Sequence, residues 1–172
     1  MLRAMKTALA EPGRPPTGNI RRSRPVFNIL VFYEDAASGL HARQVYDSLV
    51  RDAGDEWNFR PIFSQFDEVV GSRACEARTI QKALQADMII LSSHLHSDLP
   101  GQVRIWLEMW VELKGDDPAA ILTLFDRPDE VRITTGLIRD YLQCMARKGR
   151  VWLFTEPTAS PPERLNLGLV RE

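Results

Sequence analysis

The stretch Phe27-Asn28-Ile29-Leu30-Val31-Phe32-Tyr33-Glu34-Asp35 decides how this chain is read. A nearly unbroken apolar run ends on two adjacent carboxylates. A strand packed on one face alternates apolar and polar residues. A strand this continuous is covered on both faces and belongs in the interior of a parallel sheet. Apolar runs recur at residues 59–63, 88–91, 121–125 and 151–154. The intervening segments carry apolar residues at helical spacing: Ala42, Val45, Tyr46 and Leu49, then Ala74, Ala77, Ile80 and Leu84. Val103, Trp106, Leu107 and Trp110 follow, and then Ile133, Leu137, Ile138, Tyr141 and Met145. Strands alternating with helices imply βαβ units on one parallel sheet. Pro61 removes a ladder donor from the second run and assigns it to an edge. With the first run central, the expected architecture is an α/β three-layer sandwich. Its sheet has five parallel strands in the order 2-1-3-4-5.

Three local expectations accompany this frame. Residues 64–72 are rich in turn-formers and read as a loop. Ile105 and Met109 widen the apolar stripe of the third helix, which reads as a broad core face, with an oligomer contact as the alternative. Cys75 and Cys144 have no CxxC spacing and read as small core residues.

A chain of 172 residues with 44% apolar and 26% charged side chains suits one globular domain with its own core. Residues 1–25 contain Pro12, Pro15, Pro16 and Pro25 and show no periodicity, so they read as a disordered basic tail ahead of a single domain at 26–172. The formal net charge of -1 hides an asymmetry. Arg3, Lys6, Arg14, Arg21, Arg22 and Arg24 oppose Glu11 in the tail, which leaves the domain acidic. An acidic domain cannot neutralise phosphates, so nucleic-acid binding through it is excluded. No apolar run approaches the roughly 20 residues that span a bilayer. The run after Arg21-Arg22 stops at Glu34, short of a signal sequence. No membrane attachment and a cytoplasmic location are expected. No GxxxxGK[ST], GxGxxG or GxSxG motif occurs.

Open parallel sheets bind ligands at the carboxyl ends of their strands. The residues expected there are Glu34, Asp35 and Ser38; Ser92, Ser93, His94, His96 and Asp98; Asp126 and Arg127; and Thr155 and Glu156. Clustered carboxylates attract cations. In an extended segment His94 and His96 point the same way, so Glu34, Asp35, His94, His96 and Asp98 form a candidate site for a divalent metal.

The strand order and the acidic pair resemble the flavodoxin-like and receiver-like superfamily. Ile29-Leu30-Val31-Phe32-Tyr33-Glu34-Asp35 resembles the strand and magnesium-binding acids of response-regulator receivers. Ser92-Ser93-His94 stands where that family carries its phosphorylated Asp, Asp126 where it has Ser or Thr, and Thr155-Glu156 where it has Lys. The resemblance therefore implies a degenerate receiver. Residues 86–91, followed by Leu99-Pro100-Gly101 and a helix ending in Trp110, are similar to the third strand and flavin-contacting loop of flavodoxin-like flavin reductases. That likeness implies FMN as cofactor, with Ser38, Ser92, Ser93, Leu99, Pro100 and Gly101 as its contacts. His94-x-His96-x-Asp98 resembles the opening of the metallo-β-lactamase metal motif. Tyr33-Glu34-Asp35 and Trp106-Leu107-Glu108-Met109-Trp110 resemble an uncharacterised bacterial family, which implies no function.

The expected function is a non-enzymatic signalling or interaction module of degenerate-receiver type. The alternatives are an FMN-dependent reductase and a metal-binding protein using His94 and His96. A protein partner or homodimer is expected on the side of the first helix. Residues 157–172 hold Pro157, Pro161 and Pro162 and leave little chain for a last helix on that side, so apolar surface near Val45 and Leu49 would seek cover from a partner or, alternatively, from Leu165, Leu167, Leu169 and Val170 folding back as an irregular cover.

Overall fold

The computed structural model describes residues 24–71, 73–94, 98–125 and 132–155. Most of the basic tail, His96, Asp126, Arg127, Glu156 and the segment proposed as a C-terminal cover lie outside these residues. Five strands form one sheet: β1 (Val26–Tyr33), β2 (Asn58–Gln65), β3 (Met88–Ser93), β4 (Ala119–Phe125) and β5 (Val151–Thr155). All neighbours pair in parallel and the order is β2-β1-β3-β4-β5. This is the flavodoxin-like arrangement that the sequence predicts. Pro61 lies on the edge strand, opposite Ile29. β1 pairs on its other side with β3, from Ile29↔Met88 to Tyr33↔Ser92.

The long helices are α1 (Ala36–Ala53), α2 (Arg73–Leu84), α3 (Gly101–Lys114) and α4 (Arg132–Lys148). Alternation along β1 sorts the core into two layers. Leu30 and Phe32 pack with Ile80, Trp106, Trp110 and Ile138 of α2, α3 and α4. Ile29 and Val31 pack with Ala42, Tyr46 and Leu49 of α1. The chain leaves β1 toward one neighbour and returns to β3 on the other side. The reversal places α1 on one face and the other three long helices on the opposite face. Gly54 and Gly115 end α1 and α3 at φ 58° and 57°, a left-handed turn that side chains with a Cβ resist.

The largest buried side chains are Trp106 and Trp110, both fully enclosed. Burying a side chain of this class contributes roughly 1.5–3 kcal/mol. Trp106 Nε1 is buried without a hydrogen-bond partner, but other polar ends of this layer are paired. Trp110 Nε1 donates to Ala83 O at 3.0 Å, and Lys114 Nζ donates to Leu84 O and Ala86 O at 2.9 and 3.2 Å. The Lys114 ammonium thereby satisfies carbonyls left open at the end of α2 and complements its dipole.

Several local expectations are corrected. Residues 64–72 are not a simple loop: β2 continues to Gln65, and Asp67–Val70 forms a helical turn. The Glu68 carboxylate accepts from Ser64 Oγ and Gln65 N, and Val69 is buried. These contacts organise a segment whose composition alone favours irregular structure. Cys144 is exposed and Cys75 half-buried, so neither is a core residue. Leu49 is buried and Val45 half-buried, while Leu40 of α1 and Trp152 of β5, paired with Ala120 of the α1-side layer, are 63% and 51% exposed. Ile105 is 53% exposed and leaves the core face of α3, whereas Met109 is half-buried and packs against the core beside Val103, Trp106, Leu107, Trp110 and Val111.

Gly149, between α4 and β5, has no room for a side chain, since a Cβ there would stand 2.6 Å from Val111 Cγ1. Val111 is β-branched and stiff at χ1. Gly149→Ala should destabilise the protein by about 1–3 kcal/mol through overpacking. In urea unfolding, the Gly149→Ala/Val111→Ala double variant should lose less than the two single losses combined, by at least about 0.5 kcal/mol.

Candidate functional site

The sheet order reverses between β1 and β3, the position where open parallel sheets bind ligands, and the last residues of these strands meet there. The ladder runs one residue past β1, with Glu34 N–H donating to Ser92 O at 3.0 Å. The Glu34 carboxylate turns toward β3. Its Oε2 accepts from Ser93 Oγ at 2.6 Å and from His94 N–H at 3.0 Å. The Glu34 carbonyl accepts from Gln65 Nε2 at 3.2 Å. One residue thus joins the ends of β1, β2 and β3.

Asp35 does different work. It is the N-cap of α1, with an extended backbone at φ -146°. Its Oδ1 accepts from Ser38 N–H at 2.9 Å, and its own N–H donates to Ser38 Oγ at 2.9 Å. This is a reciprocal capping box at the positive end of the helix. His94 Nε2 lies 3.1 Å from Asp35 Oδ1, an ion pair when the imidazole is protonated. The Ser38 amide is the main reason that the Asp35 carboxyl titrates below its ordinary value of 3.8. Desolvation opposes the shift, and the Ser38 hydroxyl and His94 reinforce it.

The serines expected to contact a flavin face inward. Ser38, Ser92 and Ser93 are buried at 1%, 1% and 3% exposure. Ser92 Oγ donates to Ser38 O at 2.8 Å, which ties the first turn of α1 to β3. Leu99 is buried, while Pro100 and Gly101 are exposed at the start of α3. Among the candidate metal ligands, Glu34, Asp35 and His94 are brought together. Asp98 instead forms an ion pair with Arg104 and accepts from Leu99 N–H at 3.0 Å. Among the described residues, no group of three or more His, Cys, Asp or Glu is arranged to hold a metal ion. His96 lies outside those residues.

Two polar networks escaped the sequence reading. At the β2 edge, Lys82 Nζ lies 3.2 Å from both Ser64 Oγ and Glu68 Oε2. Burial works against the Glu68 charge, but Ser64, Lys82 and Gln65 outweigh it and hold the carboxyl below its usual range. Their separation in sequence hides this cluster. At the seam of α3 and α4, the Tyr141 hydroxyl lies 3.1 Å from Glu108 Oε1 and 3.2 Å from Arg104 O. The Arg104 guanidinium sits 5.2 Å from the Tyr141 ring centroid. Burial and the Glu108 charge push the Tyr141 phenol above its ordinary range. The Asp35-x-x-Ser38 cap, by contrast, has a sequence signature: a capping residue three places before its partner at the head of a helical pattern.

No family model, curated protein or solved structure matches the chain. Among the described residues, no helix is long and apolar enough to cross a membrane.

Glu34 and Asp35 make separable predictions. Glu34→Ala removes two hydrogen bonds to a carboxylate and should cost about 1.5–3 kcal/mol in urea unfolding at neutral pH. Asp35 has a folded pKa below its unfolded value. Its contribution is fully present above 3.8 and is lost as the pH falls through the folded pKa. Asp35→Ala should therefore be less stable than the parent at pH 7, and the difference should shrink in unfolding curves recorded below pH 3.8.

Proposed function

We propose that this chain is a signalling or interaction module of degenerate-receiver type, acting by binding another protein chain and not by phosphotransfer. The observation that carries this reading is the Glu34 carboxylate engaged by Ser93 Oγ and His94 N–H. In the receivers that the first strand resembles, the matching acids hold magnesium beside an acceptor Asp on the third strand. Here the third strand ends in Ser92-Ser93-His94, and the acids serve those residues and the helix cap. Both donors sit on Oε2, so a cation that takes both carboxylate oxygens must displace them. Hydrogen bonds to a charged group contribute roughly 1.5–3 kcal/mol, which such chelation would have to offset.

The same geometry disfavours the flavin alternative. A phosphate dianion at the loop after β1 would approach the Asp35 carboxylate, and the Ser38 amide that would greet it already donates to Asp35. Like charges at close range cost roughly 1 kcal/mol or more, even at intermediate dielectric.

Two measurements test the reading together. Incubation with acetyl phosphate and magnesium should leave the intact mass unchanged. A phosphoryl group mapped to Asp35 would overturn the proposal. Titration with FMN should show no saturable binding in the low micromolar range. Stoichiometric FMN in the purified protein would move the function to redox chemistry.

A further inference from the structure

The face shared by α3 and α4 has an apolar end and a charged end. The Tyr141 contacts to Arg104 and Glu108 fix the register of these neighbouring helices. Ile105 follows Arg104, and Leu137 lies one turn before Tyr141, so both stand toward the same end of the face. They are 53% and 66% exposed. At the other end, a cleft of about 630 Å³ opens between the two helices and the turns that follow them. Its charges are separated by wall. Glu108, Glu112 and Asp116 line the α3 side, and Lys148 and Arg150 line the α4 side.

Single exposed apolar residues are ordinary on a protein surface. The pairing of an apolar end with a charge-separated end is what calls for a partner. We propose that this face docks a second copy of the same chain about a two-fold axis running parallel to α3 and α4. Such a rotation lays α3 of one copy on α4 of the other and keeps like ends together. Leu137 then meets the partner's Ile105, and Lys148 and Arg150 meet the partner's Glu112 and Asp116. The contact is isologous, so each complementary pair occurs twice. A two-fold perpendicular to the helices would place the apolar end of one copy on the charged end of the other. Asp140, exposed on α4, opposes the partner's Glu108 in this arrangement and moderates its strength. The long side chains of the two walls have room to fold across the cleft.

This deepens the interaction-module reading and rests on it only in treating association as the role of the chain. It also differs from the expected contact on the side of α1.

Sedimentation of the full chain with charge-reversed variants tests the proposal. Glu112 and Lys148 are exposed, and circular dichroism melts will show that Glu112→Lys and Lys148→Glu remain folded. At chain concentrations up to about 0.1 mM, above the Kd of a weak transient interface, the parent should sediment with twice the 19.6 kDa chain mass. Each single reversal should weaken self-association at least about tenfold. An equimolar mixture of the two variants should recover the dimer, because reversed charges then face each other. Leu137→Asp, a reporter independent of the charge pair, should also dissociate it. A monomeric parent, single variants that still dimerise, or a mixture that stays monomeric would each overturn the proposal. A monomeric parent leaves the phosphodonor and FMN results standing, so failure of this dimer is distinguishable from failure of the proposed function.

Discussion

β1 and β3 are buried on both faces, and the architecture follows from covering them. Leu30, Phe32, Ile89 and Leu91 need one layer, while Ile29, Val31, Met88 and Ile90 need the other. A single helix cannot supply both. The chain therefore crosses to β2 over one face and to β3 over the other, with α1 on the first and α2, α3 and α4 on the second. The reversal that completes this coverage falls between β1 and β3, and the carboxyl ends of strands at such a reversal are where open parallel sheets bind ligands.

In this chain that edge is braced from within. Glu34 spans to β3 and to Gln65, Asp35 caps α1, and Ser92 ties α1 to β3. The opposite end of the same strand pair has its own brace, where Asn28 N–H donates to Asp87 Oδ2 at 2.7 Å and Asp87 N–H to Asn28 O at 2.9 Å. Polar groups at both ends of β1 thus reinforce the register against β3 that apolar burial specifies.

The α3–α4 seam links this edge to the outer surface. Asp98, at the entrance to α3, pairs with Arg104, whose guanidinium stacks on Tyr141, whose hydroxyl reaches Glu108 at the mouth of the cleft. The chain of contacts holds two helices in one register with groups that are only partly buried.

The strand order, the edge position of β2 and the helix positions were legible in the sequence. They depend on local periodicity and on Pro61, and apolar burial enforces both. The acidic pair and Ser92-Ser93-His94 were legible as occupants of one edge, because strand ends fix their height in the sheet. What each side chain touches was not legible. Glu34 binds Ser93 across 59 positions of chain, and Lys82 reaches Ser64 across 18. Such pairs follow from the geometry of the crossing, which a residue pattern does not encode. The same holds for Ile105: its helical phase was compatible with core or surface, and only the packing of α2 and α4 against α3 left it exposed. Sequence periodicity determines which face an element buries. The neighbours brought in by the fold determine how wide that face is and which polar groups meet at its rim.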